Sequence, residues 1–126
     1  MTKILLAEDD NDMRQFLTRA LKNAGYDVVS YDNGRSAYER LREEPFALLL
    51  SDIVMPEMDG PTLLKHVRQT MPHLKVIFVS GYAEESVRRD IEDDQSVEFL
   101  PKPYSLDQIN TKVKEVLQMV DASDLN

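Results

Sequence analysis

The chain has no cysteine, which excludes disulfides and thiolate metal ligands. No apolar run approaches the roughly 20 residues that span a bilayer. Met1-Thr2-Lys3 passes straight into an apolar strand pattern, where a secretory leader would need a longer hydrophobic region. The chain is also poor in positive charge. With 15 Lys and Arg against 23 Asp and Glu, its net charge is −8, and nonspecific nucleic-acid binding needs the opposite balance. A P-loop is missing, since no glycine-rich stretch ends in Lys-Ser or Lys-Thr. These absences leave a soluble, cytoplasmic domain with no direct nucleic-acid or membrane partner. Its acidity suits basic partners or a site that gathers cations. At 126 residues, 42% of them hydrophobic, it is long enough for one domain around one core.

Strand and helix patterns alternate along the whole length. Lys3 to Ala7, Val28 to Tyr31, Phe46 to Asp52, Lys75 to Val79 and Val97 to Leu100 read as five strands. The first helix is expected to be capped by Asp12 with Gln15 and to end at Gly25. Phe16, Leu17, Ala20, Leu21 and Ala24 are its expected buried stripe. Asn33-Gly34 opens a second helix reaching about Glu43, and Asp59-Gly60-Pro61 a third ending near Thr70. The charged segment from Glu84 to Asp94 gives a weak fourth, with little beyond Val87 and Ile91 to bury. Ser105 to Gln108 forms a capping box for the last helix, with Tyr104 and Ile109 as its hydrophobic staple. Leu106, Ile109, Val113, Val116, Leu117 and Val120 lie along one side of it. Five βα units within residues 1–120 predict an α/β fold, a doubly wound five-stranded parallel sheet with five helices. Residues 121–126 read as a flexible C-terminal tail.

In such a sheet the carboxyl ends of the strands share one edge. Strand one runs into Glu8-Asp9-Asp10, strand three into Asp52, strand four into Ser80, and strand five into Lys102 between two prolines. Three adjacent carboxylates are more than a helix cap needs, and Ile53-Val54-Met55-Pro56 is too apolar for a simple turn. Taken singly, Lys102 would be a surface lysine and Asp12 a first-turn acid. Together the groups are more specific. Crowded carboxylates call for a hard cation such as Mg²⁺, and a nucleophilic carboxylate, a hydroxyl and an ammonium stand beside them. That is the set needed to move a phosphoryl group onto an aspartate.

On these motifs the chain resembles the receiver domains of response regulators in two-component signalling, over about residues 3–120. The residues that carry the resemblance are Ile4 to Asp10, Ser51 to Gly60, Val79-Ser80-Gly81 and Leu100-Pro101-Lys102-Pro103. The resemblance implies a flavodoxin-like receiver fold with strand order 2-1-3-4-5. It implies that Asp52 is the phosphoacceptor and that Glu8, Asp9, Asp52 and the carbonyl of Val54 hold Mg²⁺. Ser80 would be the switch hydroxyl, Lys102 the partner of the phosphate, and the Lys102–Pro103 peptide cis. Ser80 stands where Thr is more frequent, and Phe99 takes the aromatic switch position where Tyr is common. Phe99 has no hydroxyl with which to relay a hydrogen bond. Within the family, the front half is similar to CpdR-type single-domain regulators of the alphaproteobacterial cell cycle. The back half is similar to receivers of CckA-type hybrid histidine kinases. The implied donor is a phosphohistidine on a histidine kinase or histidine-phosphotransfer protein, and a downstream target protein would read the switch. Self-phosphorylation and slow autodephosphorylation are the only turnover implied; the chain is otherwise no enzyme. Met13, Arg14 and Tyr104, beside the acidic mouth, are the expected docking residues. Met13 and Tyr104 fit core and staple positions equally well.

Rival chemistries fail on particular residues. Glu8-Asp9-Asp10 would repel the phosphate of a flavin, and a calcium loop starting at Asp9 would need glycine where Arg14 stands. An aspartate-nucleophile phosphatase would carry a second acid at Val54. The alternative from another class is a receiver-like binding module that docks without being phosphorylated. Such modules usually lose an acid or the lysine, and this chain keeps them all.

Overall fold

Side chains alternate across the strands, and that alternation divides the interior into two clusters. The computed structural model describes residues 1–81, 88–89, 91 and 93–119. Its strands are β1 (Lys3–Ala7), β2 (Asp27–Tyr31), β3 (Leu48–Asp52), β4 (Lys75–Ser80) and β5 (Val97–Pro101). They form one sheet in the order β2-β1-β3-β4-β5, every neighbouring pair parallel. The helices are α1 (Asn11–Asn23), α2 (Gly34–Leu41), α3 (Gly60–Thr70) and α4 (Leu106–Leu117). On one face Leu5, Leu49, Val76 and Phe78 pack with Ala37 and Leu41 of α2 and Leu63 and Val67 of α3. On the other, Ile4, Leu6, Leu50 and Ile77 pack with Leu17 and Leu21 of α1 and Ile109, Val113 and Val116 of α4. The sheet is therefore doubly wound, in the expected strand order. β3 is buried along its whole length, which is why it reads as an unbroken apolar run.

Several boundaries differ from the sequence reading. Asp10, not Asp12, caps α1: its carboxylate accepts the Met13 N–H at 3.0 Å, and Asp12 falls in the first turn. Phe16 is 43% exposed and Ala24 is an exposed C-cap, because the buried stripe of α1 is the narrower set Leu17, Ala20 and Leu21. Gly25 follows with φ 99°, the left-handed conformation expected just past the helix. α2 stops at Leu41, short of Glu43, and Ala47 is exposed, so the buried part of the third strand begins at Leu48. Leu106 is 46% exposed at the first turn of α4. The Ser105–Gln108 capping box is present, and Tyr104 and Ile109 share one cluster. Four helices are found among the described residues. The expected helix over 84–94 falls largely outside them, although Arg88 and Arg89 are helical and Ile91 is buried. Val120 and the expected tail at 121–126 also lie outside. No helix among the described residues is long and apolar enough to cross a membrane.

Candidate functional site

The carboxyl edge of the sheet brings together groups from four strands. β1 extends one residue beyond its end, where the Glu8 N–H donates to the Tyr31 carbonyl at 3.0 Å. Glu8 and Asp52 are buried, while Asp9 is exposed. One carboxylate oxygen from each of Glu8, Asp9 and Asp52 can be chosen so that all lie within 4.8 Å of one another. The Lys102 ammonium stands 3.3 Å from Asp52 Oδ1. Burial, then a hydrogen bond with Glu8 and the charge of Glu8, push the Asp52 carboxyl up to about 9, against the downward pull of Lys102. A single, part-exposed ammonium does not offset the burial of Asp52 beside Glu8, so the neutral form of the Asp52 carboxyl is favoured in the metal-free fold. Beyond that ion pair with Lys102, the buried Asp52 Oδ1 has no hydrogen bond among the described residues. A small divalent cation would supply the positive charge that the three grouped carboxylates lack, so these residues fit a hard, oxygen-seeking ion.

Local structure explains why the groups stay in place. Ser80 is buried at the end of β4, and its carbonyl accepts the Lys102 N–H at 2.8 Å. The Lys102–Pro103 peptide is cis. After Asp52 the chain turns back on itself: Ile53 N–H donates to Val79 O at 3.3 Å and Gly60 N–H to Ile53 O at 2.5 Å. Glu57 takes φ 67° in this loop, a conformation that non-glycine residues rarely adopt. Asp59 closes the loop by capping α3 through the Thr62 N–H. Val54, two residues past Asp52, has its side chain 55% exposed.

The remaining expected residues lie around this centre. Phe99 is half-buried on β5, its ring 6.3 Å from that of Phe78, with the Arg88 guanidinium over the ring 4.6 Å from its centroid. Met13 and Tyr104 are half-buried and pack against the cluster of α1 and α4. Arg14 donates to the Glu8 carbonyl at 2.8 Å and to Asn11 Oδ1. It therefore holds the acidic turn as well as standing at its rim. Two ties were not anticipated from sequence. Asp10 N–H donates to Glu8 Oε2 at 3.1 Å, orienting one ligand candidate. Ser51 Oγ–H donates to the Asp52 carbonyl at 2.8 Å, pinning the strand end from within.

The profile of the response regulator receiver domain family matches residues 4–114. The chain is 50% identical over 117 residues to the response regulator receiver protein CpdR of Brucella abortus, covering 93% of this chain and 98% of that protein. It is 47% identical over 120 residues to the sensor kinase CckA of the same organism, covering 94% of this chain but 13% of the kinase. Among solved structures, the receiver domain from the hybrid histidine kinase CckA is similar at a TM-score of 0.77 and 34% identity. That likeness covers 92% of this chain and 99% of the other.

Proposed function

This chain belongs to the response regulator receiver domain family, and on that premise we propose that it accepts a phosphoryl group on Asp52 from a phosphohistidine and thereby switches a partner protein. The observation that supports this most is the buried Asp52 carboxylate, its Oδ1 3.3 Å from the Lys102 ammonium, grouped with Glu8 and Asp9. Asp52 reacts in its ionised form. One of its oxygens bonds to phosphorus as the P–N bond to the donor imidazole breaks, and that bond's electron pair leaves on the imidazole nitrogen. Bound Mg²⁺, held by Glu8, Asp9, Asp52 and the Val54 carbonyl, would neutralise charge on the phosphoryl oxygens. Lys102, 3.3 Å from Asp52, supplies a second positive group. Ser80, tied to Lys102 through the backbone, registers the new group with its hydroxyl, and Phe99 carries the change to the face where Arg88 lies. The role is regulatory and cytoplasmic, with autodephosphorylation as the only turnover. The donor is a histidine kinase or a histidine-phosphotransfer protein.

Labelled acetyl phosphate with Mg²⁺ tests this directly. The parent should take up one phosphoryl group, and Asp52→Asn should take up none while keeping its circular dichroism spectrum. Stable labelling of Asp52→Asn would move the acceptor to a neighbouring carboxylate. A folded, metal-binding parent that never labels would favour a docking module.

A further inference from the structure

Tyr104 stands two residues beyond Lys102, and the structure uses its ring and its hydroxyl differently. The ring packs against the cluster that holds Ile109, as a staple at the start of α4 requires. That task needs no oxygen, and phenylalanine would perform it. The hydroxyl is nevertheless buried, with no hydrogen-bond partner among the described residues. Buried polar atoms are normally paired, and an unpaired one costs stability. Its electrostatic neighbours are Glu8 and Asp52, whose charges add to burial in raising the phenol above its ordinary range. The group therefore stays protonated, a donor and not a phenolate. At the same mouth Asp52 Oδ1 is ion-paired with the Lys102 ammonium at 3.3 Å, so it is not the partner of the phenol. A buried, unpaired donor two residues beyond the lysine that pairs with Asp52 calls for an acceptor that the described residues do not supply.

We propose that the Tyr104 hydroxyl is a hydrogen-bond donor reserved for an oxygen of whatever occupies the acidic site, a water of the bound cation or an oxygen of the phosphoryl group. The proposal rests on the assignment of Asp52 given above. It deepens that assignment by giving the site a neutral donor beside its charged ones, and it separates the hydroxyl from any docking role of the Tyr104 ring.

Tyr104→Phe keeps the ring and removes only the oxygen. Three measurements on the intact chain read the effect: the metal-free melting temperature, Mg²⁺ affinity by calorimetry, and decay of label after acetyl phosphate. The metal-free variant should melt at the same temperature as the parent or higher, because it loses an unsatisfied group. Mg²⁺ affinity or label lifetime should fall, by roughly two- to tenfold for one lost hydrogen bond. A fall in Mg²⁺ affinity alone identifies the acceptor as a water of the cation, and a shorter lifetime alone as a phosphoryl oxygen. Unchanged affinity and lifetime would overturn the proposal, as would a lower metal-free melting temperature, which would reveal a structural partner. If the parent never labels but Tyr104→Phe still binds Mg²⁺ more weakly, the Asp52 reading fails and the donor role stands.

Discussion

Asp52 concentrates both the chemistry and the electrostatic cost of the site. Its carboxyl is raised from 3.8 to about 9 in the metal-free fold, chiefly by burial and then by Glu8. An upward shift contributes stability that is complete below the unfolded value and is lost as pH rises through the folded one. The metal-free protein should therefore melt at progressively lower temperature from about pH 4 towards about pH 9. Mg²⁺ should flatten the slope, since the cation replaces the proton as counter-charge. Asp52→Asn should flatten it too, and should melt higher than the parent at neutral pH without metal. An undiminished slope in Asp52→Asn would place its source elsewhere. Asp52 was legible in the sequence because a buried apolar run ends on a lone acid. The part played by Arg14 was not, because its guanidinium meets the carbonyl of Glu8, and backbone acceptors leave no mark in a sequence.

The loop and helix ends show how elements hold the residues of the candidate site. A Cβ at Gly60 would stand 2.9 Å from the Cα and the carbonyl oxygen of Ile53 and 3.0 Å from Phe78 Cε1. Backbone cannot yield there as a flexible side chain would, and Ile53 is bonded directly to Asp52. Gly60→Ala should cost about 1–3 kcal/mol by urea denaturation and weaken Mg²⁺ binding at the same time. Normal Mg²⁺ affinity in a destabilised Gly60→Ala would show that the loop supports the fold without positioning Asp52. Strands and most helices were readable from periods of two and 3.6. Their ends were not. Asp10 and Asp12 are both capping types two residues apart, and only the backbone conformation of Asp10 makes it the cap. Phe16 and Leu106 are apolar at near-helical spacing, yet each sits at the margin of its stripe and stays partly exposed.

Docking belongs to the whole molecule: on the proposed function, a donor imidazole would approach Asp52 across surface contributed by α1 and by the segment between β5 and α4. Met13 and Tyr104 pack inward, so the apolar surface they offer a partner is limited to their exposed edges, with Arg14 beside them. We expect Met13→Ala to slow transfer from a phosphohistidine protein while leaving labelling by acetyl phosphate unchanged. Equal loss with both donors would mean that Met13 serves the core alone. The paired strands β3 and β4 carry a wider consequence. They meet along five register positions, Leu48 opposite Lys75 through Asp52 opposite Val79. Every carboxylate of the site lies on β3 or before it, while the hydroxyl of Ser80 and the ammonium of Lys102 lie at the end of β4 and beyond. On the proposed function, cation capture and readout are thus inherited on separate stretches of polypeptide. Chimeras of two receivers, joined in the connection at 71–74, should keep the metal preference of the first parent and the switching behaviour of the second, so long as the seam stays in register.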